Sequence, residues 1–204
     1  MWLLPSRSRP HNAERLFKAW GATTPGSLRV DDCDPLAEAY RALALPQGWK
    51  LTVGPRRPLG ELYNEFYAYH PNLDWYGFIA DDVVPETEGW DRKLIEIAGQ
   101  DGMAVPSGGE STGGSPHFVL AGSLVREQGW LCLPGLHRIY IDTVWQQIAK
   151  ANGVYRYAPE IRLEHHHFSN RRALFDGTYR KSDKSQDRAL YEAWLQSRKE
   201  TLWP

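Results

Sequence analysis

Short apolar runs alternate with amphipathic helical stripes through the first half of the chain, and this alternation constrains the fold most. Apolar residues spaced three and four apart predict one-faced helices, whereas the runs between them have the length of buried strands. A chain that repeats strand and helix in this way forms a parallel sheet with helices on both faces. The predicted strands are Trp2–Leu4, Leu28–Val30, Trp49–Val53 and Trp75–Ala80, and the helical stripes begin at Ala13, Leu36, Leu59 and Trp90, with Asp34 and Pro35 as the predicted N-cap and first position of the second helix.

The second half is less regular and predicts a mixed, mostly parallel sheet. A Gly/Ser-rich stretch at 107–115 has the composition of a mobile loop. We expect a single α/β domain of Rossmann type, with a body at residues 1–168 and a C-terminal extension at 169–204 whose helix packs on the body. The later predicted elements are strands at Met103–Pro106, Phe118–Leu124, Tyr155–Tyr157 and Ile161–His165, a helix at Ile141–Ala149 and a final helical stripe at Ala189, Leu190, Ala193 and Trp194.

Charge and cysteine content exclude several classes of protein. The net charge of −1 gives no support for binding to nucleic acid or to an anionic membrane. Cys33 and Cys132 lie far apart without metal-type spacing, so a reducing compartment is the simplest expectation. No apolar run approaches the roughly 20 residues of a membrane span, and the first is too short for a signal peptide. We therefore expect a soluble, cytoplasmic protein without a membrane span.

Asp81 and Asp82 are the strongest candidate site residues. They follow the apolar run Phe78–Ala80 directly, so they are predicted to end a buried strand. In open parallel sheets ligands bind beyond the carboxyl ends of the strands. Mn²⁺ and Mg²⁺ prefer carboxylate and phosphate oxygens. The pair therefore predicts a divalent-metal site, although acids at strand ends also simply cap turns.

The run Ile161–His167 supplies the second candidate. Alternate residues of a strand share a face, so His165 and His167 are predicted to continue the apolar face, with His166 opposite. Imidazoles two residues apart can share one metal, or one can bind metal while the other meets a phosphate. A surface or purely structural histidine cluster is the alternative.

Three further segments are weaker candidates. The turn after the first strand carries hydroxyl and basic side chains and leads into a helix, whose N-terminus favours phosphate. An acid near the start of a later helix and polar residues after the third strand add to the set, although each is also ordinary for a loop or a helix start. These residues are Ser6, Arg7 and Arg9, then Asp142, and then Arg56 and Asn64.

Together these segments resemble the glycosyltransferases with the GT-A fold, especially the broad family 2 type. The resemblance covers about residues 2–168 and rests on the order of motifs. Leu3–Pro10 resembles the first strand and nucleotide loop of that family. Ile79–Val83 resembles its Asp-x-Asp motif, with Ala80 in place of the first acid. Further matches are Asp31 and Asp32, where the family has an acid that contacts the base, and the segment with Gly54, Arg56, Gly60 and Asn64.

The resemblance implies a role for each matching residue. It makes residues 1–168 a nucleotide-sugar-binding catalytic domain that uses a nucleotide-diphosphate sugar with Mn²⁺ or Mg²⁺. Asp82 is favoured as the direct metal ligand, with Asp81 on the ribose or in support. Asp142 matches the late acid that serves as base in inverting members, and His165 matches the late strand histidine on the metal. The acceptor, whether glycan, protein, small molecule or modified nucleic acid, and the oligomeric state stay open.

Three other functions remain as alternatives. A nucleotidyltransferase uses a similar sheet, acids and metal, although the turn after strand one lacks a Gly-x-Gly phosphate loop. A sugar- or nucleotide-binding module without turnover would keep the fold. A zinc hydrolase built on the histidine run lacks a spacing such as His-Glu-x-x-His and ranks last.

Overall fold

The computed structural model describes residues 1–21, 23–108, 116–166 and 184–202, with side chains of the last helix described to residue 198. Within these ranges the chain forms eight strands and seven helices, and strand and helix alternate through the first four strands. The strands are β1 (Trp2–Ser6), β2 (Gly26–Asp31), β3 (Trp49–Gly54), β4 (Trp75–Phe78), β5 (Val83–Pro85), β6 (Met103–Ser107), β7 (Phe118–Ala121) and β8 (Tyr155–His165). The helices are α1 (Pro10–Lys18), α2 (Ala37–Arg41), α3 (Leu59–Tyr69), α4 (Trp90–Ala98), α5 (Gly122–Gln128), α6 (Ile141–Ala151) and α7 (Ser185–Leu202).

The strands form a mixed sheet in the order β3-β2-β1-β4-β7-β6-β8-β5. The first four neighbours, from β3 to β4, are parallel. β7 then pairs antiparallel with both β4 and β6, β6 and β8 are parallel, and β5 is antiparallel to β8. The predicted mixed, mostly parallel α/β architecture of a single domain is confirmed.

Each face of the sheet carries its own hydrophobic core, because successive side chains of a strand point to opposite faces. On β1, Trp2 and Leu4 enter one core, and Leu3 between them enters the other. Helices α1, α2 and α4 cover the first core, where Trp20 packs edge to face against both Trp2 and Trp90. Helices α3, α5, α6 and α7 cover the second.

Several element boundaries differ from the predictions. The predicted strand Phe118–Leu124 ends at Ala121, and α5 begins at Gly122, whose N–H donates to Asp74 O. The strand predicted to run to Ala80 ends at Phe78. Helix α2 begins at Ala37 rather than at Pro35, because the carboxylate of Asp34 accepts bonds from the backbone of Ser8 and Leu36 and so caps a turn.

The two late strands predicted at 155–157 and 161–165 are one strand, β8, with an irregularity between them. Its pairing with β6 shifts register between Pro106 and Ser107, where Ala158 and then Arg162 are the partners. Such bulges insert extra residues without ending the strand. The sequence pattern is interrupted there because the bulged residues leave the regular alternation.

Helix α7 lies against α6, with Trp194 in the second core. The division of the chain at residue 168 stays a prediction, and the segment 170–183 lies outside the described residues, as does the Gly/Ser-rich loop from 109 to 115. Among the helices described, none combines the length and apolar character needed to cross a membrane. The cytoplasmic location stays a prediction.

Candidate active site

The site lies where β1 and β4 are neighbours and the strand order reverses. The chain builds β1, β2 and β3 outward in one direction and then crosses to β4 on the other side of β1. Ligands of open α/β sheets bind beyond the carboxyl ends of the strands at such a switch point. Ser6 ends β1, and Asp81 and Asp82 follow shortly after β4. The hydroxyl of Ser6 donates a 2.5 Å hydrogen bond to Asp81, so the two strand ends meet as the sequence predicted.

A buried arginine lies between the two acids. Arg9 Nη1 is 3.6 Å from one carboxylate oxygen of Asp81 and 3.6 Å from one of Asp82. All three residues are at most 7% exposed, so the positive charge offsets two buried negative charges. The phenol of Tyr40 braces this loop, since its oxygen accepts from Arg9 N–H at 2.9 Å and lies 2.6 Å from Ser6 Oγ.

His165 at the end of β8 completes the cluster. Its Nε2 lies 3.2 Å from Asp82 Oδ1, and both side chains are buried. The neighbouring His166 points away from the core, where its ring lies 2.8 Å from the carboxylate of Glu164, while its backbone N–H donates to Asp82 O. The predicted opposition of His165 and His166 is present. His167 lies outside the described residues.

The two acids differ in their electrostatic surroundings. Burial raises the pKa of Asp81, the charge of Asp82 raises it further, and the Ser6 hydrogen bond opposes both. Burial acts in the same direction on Asp82, but the hydrogen bond and charge of His165 outweigh it and lower the pKa of Asp82. Asp82 therefore stays ionised over the wider pH range, which suits a metal ligand.

His117, which the sequence did not single out, lies directly behind His165. It is fully buried immediately before β7, and its ring meets the His165 ring edge to face at a centroid distance of 5.0 Å. Burial lowers the pKa of His117 to about 3, and the charge of His165 adds to the effect. His117 is therefore a neutral imidazole at physiological pH. A histidine before an apolar strand gives no pattern that marks it as part of a site.

The nucleotide-loop candidates lie beside this cluster. Arg7 forms an ion pair with the buried carboxylate of Asp31 at the end of β2. Asp32 is exposed, and its N–H donates to Gly54 O at 2.8 Å. Arg56 is exposed in the turn after β3. Arg7 and Asp31 thus reach the carboxyl edge of the sheet as a pair, whereas Asp32 and Arg56 lie on its outer rim.

The structure gives Asn64 a role that differs from its predicted nucleotide contact. The side-chain oxygen of Asn64 accepts the N–H groups of Leu131 and Cys132, at 3.0 and 2.9 Å, and its amide nitrogen donates to Cys132 O at 2.8 Å. These bonds anchor the connection between α5 and α6 to α3. The side-chain amide of Asn64 is therefore used within the protein.

Asp142 lies in the first turn of α6 and is half-buried. Its charge acts on Tyr63, whose pKa is raised mainly by burial. Tyr63 in turn packs against Phe78 of β4, with ring centroids 4.5 Å apart. Asp142 therefore stands on the second-core side of β4, outside the cluster of Asp82 and His165.

The donor set of Asp82 and His165 fits a divalent cation. Two ligand atoms at about 2.1 Å from one cation and at right angles lie about 3 Å apart, close to the 3.2 Å between Asp82 Oδ1 and His165 Nε2. Among the residues described, no three His, Cys, Asp or Glu side chains form a ready-made metal cluster. The protein would thus supply only part of the ligand set. Metals that also bind substrate phosphates are commonly held by one or two protein side chains in this way.

Comparisons with known proteins agree with the fold. No family model and no curated protein matches the sequence. Among solved structures, the mannosyltransferase PcManGT from Pyrobaculum calidifontis, in complex with GDP-Man and Mn²⁺, matches with a TM-score of 0.59 at 10% identity, over 79% of this chain and 55% of that one. S. aureus TarS in complex with UDP matches with a TM-score of 0.56 at 12% identity, over 79% and 58%.

GalNAc-T7 with UDP, GalNAc and Mn²⁺ matches with a TM-score of 0.60 at 13% identity, over 96% of this chain and 48% of that one. The chain spans about half the length of these structures. At such identities the likeness shows the fold. The chain has the GT-A fold, as the sequence motifs predicted.

Proposed function

We propose that this chain is a metal-dependent glycosyltransferase that moves a hexosyl or pentosyl group from a nucleotide-diphosphate sugar to an acceptor hydroxyl. One observation carries the proposal: a buried Asp81–Asp82 pair meets Ser6, Arg9 and His165 at the switch point of a GT-A sheet. Two of the matched structures, PcManGT with GDP-Man and Mn²⁺ and GalNAc-T7 with UDP, GalNAc and Mn²⁺, hold a nucleotide or nucleotide sugar together with Mn²⁺. The acceptor is left open by these observations.

Asp82 and His165 are the residues that would hold the cation, Mn²⁺ or Mg²⁺. A bound divalent cation supplies positive charge that neutralises a leaving diphosphate. The low pKa of Asp82 keeps that carboxylate ionised, and carboxylate oxygens are the ligands that suit Mn²⁺ and Mg²⁺. The neutral imidazole of His165 would supply a nitrogen as the second protein ligand. Asp81, bonded to Ser6, would hold the loop or the ribose rather than the cation.

The loop after β1 would receive the nucleotide. Pro10 begins α1 directly after Arg9, and the N-terminus of a helix favours a phosphate group. Arg7 would add a guanidinium, which binds phosphate oxygens in a fixed geometry. Its ion pair with Asp31 holds the guanidinium at the carboxyl edge, and Asp31 or Asp32 would face the base.

Asp142 would act on the acceptor as the general base. In the transfer step the bond from the anomeric carbon to the diphosphate oxygen breaks, and its electrons leave with the diphosphate. A bond forms from the acceptor oxygen to the anomeric carbon, and the hydroxyl proton passes to Asp142. Asp142 lies in the first turn of α6 and is half-buried, so its carboxylate is partly open to an acceptor.

A panel of nucleotide sugars tests the proposal. The purified chain is incubated with each sugar nucleotide plus Mn²⁺, with and without a chelator, and nucleoside diphosphate release is measured. We expect release with at least one donor, abolished by the chelator and by Asp82→Asn. Release of sugar 1-phosphate instead, with a nucleoside triphosphate formed when pyrophosphate is added, would make the chain a nucleotidyltransferase. Binding of a donor without any release, with every acceptor class supplied, would make it a binding module.

A further inference from the structure

A buried carboxylate on the C-terminal helix accepts hydrogen bonds from the loop that leads to α6. Asp187, in the first turn of α7, is 1% exposed and accepts the N–H groups of His137, Arg138 and Ile139 at 2.7, 2.8 and 2.9 Å. Hydrogen bonds from several amides to one carboxylate are short and strong. Asp187 therefore fixes three consecutive peptide groups immediately before the start of α6.

The residue that follows these three hydrogen-bonded peptide groups has a strained backbone. Tyr140, the N-cap of α6, has a φ of 67°, which bulky side chains rarely adopt. A residue in this region costs about 1 kcal/mol or more and persists only where its surroundings hold it. The left-handed conformation of Tyr140 turns the chain sharply into α6, and Asp142 lies in the first turn of that helix. A sharp turn of this kind fixes the direction in which Asp142 projects.

Helix α7 also holds Tyr140 itself. Tyr191 follows Asp187 by one helical turn, so both side chains lie on the same face of α7. The ring of Tyr191 stacks on the ring of Tyr140 with centroids 4.6 Å apart and planes 2° apart. The charges of Tyr140 and Asp142 both act on Tyr191, whose pKa is raised mainly by burial. One face of α7 therefore contacts the loop through Asp187 and contacts Tyr140 through Tyr191, which also lies near Asp142.

The loop is held from a second side by α3. Gly60 N–H donates to His137 O at 3.0 Å, and a Cβ at Gly60 would lie 2.0 Å from Leu136 O. Asn64 anchors the start of the same loop at Cys132. The loop is therefore fixed along its length by uncharged contacts, and Asp187 adds a buried negative charge at the one point where the chain turns into α6.

We propose that Asp187 is a positioning residue for the transfer step, which holds Asp142 in the orientation needed to accept the proton of the acceptor hydroxyl. This inference rests on the proposed function. Asp187 acts through the backbone of residues 137–139 and through Tyr140, without touching substrate. Displacing a base by an ångström lowers turnover by up to about a hundredfold while leaving donor binding intact.

Asp91 offers a matched control within the same chain. It is also 1% exposed and also accepts three hydrogen bonds, from Thr23 N, Thr24 N and Thr24 Oγ1 at 3.1, 3.1 and 2.7 Å. Asp91 lies on α4, in the layer that covers the first core. Replacing either aspartate with asparagine replaces a buried carboxylate that accepts three hydrogen bonds by a neutral amide, but only Asp187 contacts the loop that leads to Asp142.

The experiment compares Asp187→Asn and Asp91→Asn for unfolding temperature, donor KM, donor Kd and kcat of transfer. We expect both to lower the unfolding temperature. Asp187→Asn is expected to lower kcat about tenfold or more with donor KM and Kd unchanged within about twofold. Asp91→Asn is expected to keep kcat. Equal kcat losses in the two variants, or an unchanged kcat in folded Asp187→Asn, would overturn the inference.

Tyr191→Leu provides a second test of the same inference if Asp187→Asn does not fold. It removes the ring that stacks on Tyr140 while retaining an apolar side chain in a half-buried position. A lowered kcat at unchanged donor KM supports the inference, and an unchanged kcat contradicts it. A wild-type chain that transfers no sugar from any donor refutes the proposed function instead, so the two failures are distinguishable.

Discussion

Replacement of His117 by glutamine is expected to remove a large part of the acid sensitivity of this fold. His117 is fully buried, and its pKa falls to about 3 from an ordinary value near 6.5. The unfolded chain therefore binds a proton below pH 6.5 that the folded chain refuses. His117 contributes stability that is fully present above pH 6.5 and is lost as the pH falls toward 3.

The size of this loss follows from the two pKa values. Each pH unit below the unfolded pKa costs about 1.4 kcal/mol, so between pH 7 and pH 5 the free energy of unfolding falls by about 2 kcal/mol through this group. The charged groups that act on His117 are His165, which opposes its protonation, and Asp82, which favours it. Glutamine is polar and cannot titrate. The fall in the free energy of unfolding of His117→Gln should therefore not include this contribution.

Urea unfolding followed by tryptophan fluorescence, with a chelator present, measures the effect. The fall in unfolding free energy from pH 7 to pH 5 should be about 2 kcal/mol smaller in His117→Gln than in the wild type. His11→Gln, on the exposed surface of α1, serves as the control and should keep the full fall. If His117→Gln declines as steeply as the wild type, His117 is not held neutral by burial and the reasoning is wrong.

Three further predictions concern the site and its support. Asp82→Asn should keep the fold and lose the Mn²⁺ dependence of nucleoside diphosphate binding in calorimetry, and unchanged dependence would remove Asp82 from the metal site. His165→Ala should lower Mn²⁺ affinity about tenfold or more, whereas His166→Ala should be mild because its ring faces Glu164; a dominant effect of His166→Ala would reverse this assignment. Gly60→Ala should lower the free energy of unfolding by about 2 kcal/mol or more, because its Cβ would lie 2.0 Å from Leu136 O; a neutral result in urea unfolding would contradict the close approach.

The sequence predicted the parts of the fold that depend on local periodicity. The stripes of α1, α3 and α4 and the strands β1 to β4 follow from apolar spacing, and their parallel order brings Ser6 next to Asp81. The prediction of one strand over Phe118–Leu124 is wrong, because a continuous apolar run suits a strand and a buried helix equally. What ends β7 is the close approach of Gly122 to the backbone of Leu73, a contact far away in sequence.

The candidate site also contains some residues that the sequence could predict and others that it could not. Asp81, Asp82 and His165 could be predicted because strand ends in a parallel sheet converge, and the structure brings them together with Arg9. Asn64 resembled a nucleotide contact by motif, but its amide is used by the backbone of Leu131 and Cys132. His117, Tyr40 and Asp187 had no local signal, since each acts on a segment more than 20 residues away.

A crystal structure of the chain with a nucleoside diphosphate and Mn²⁺, collected at a wavelength that reveals manganese, tests the central claim most directly. The account expects an anomalous peak within bonding distance of Asp82 Oδ1 and His165 Nε2, with the diphosphate on the metal and next to Arg9 and the start of α1. A diphosphate bound beyond a different set of strands, or bound beside Arg9 with no manganese at Asp82, would contradict it.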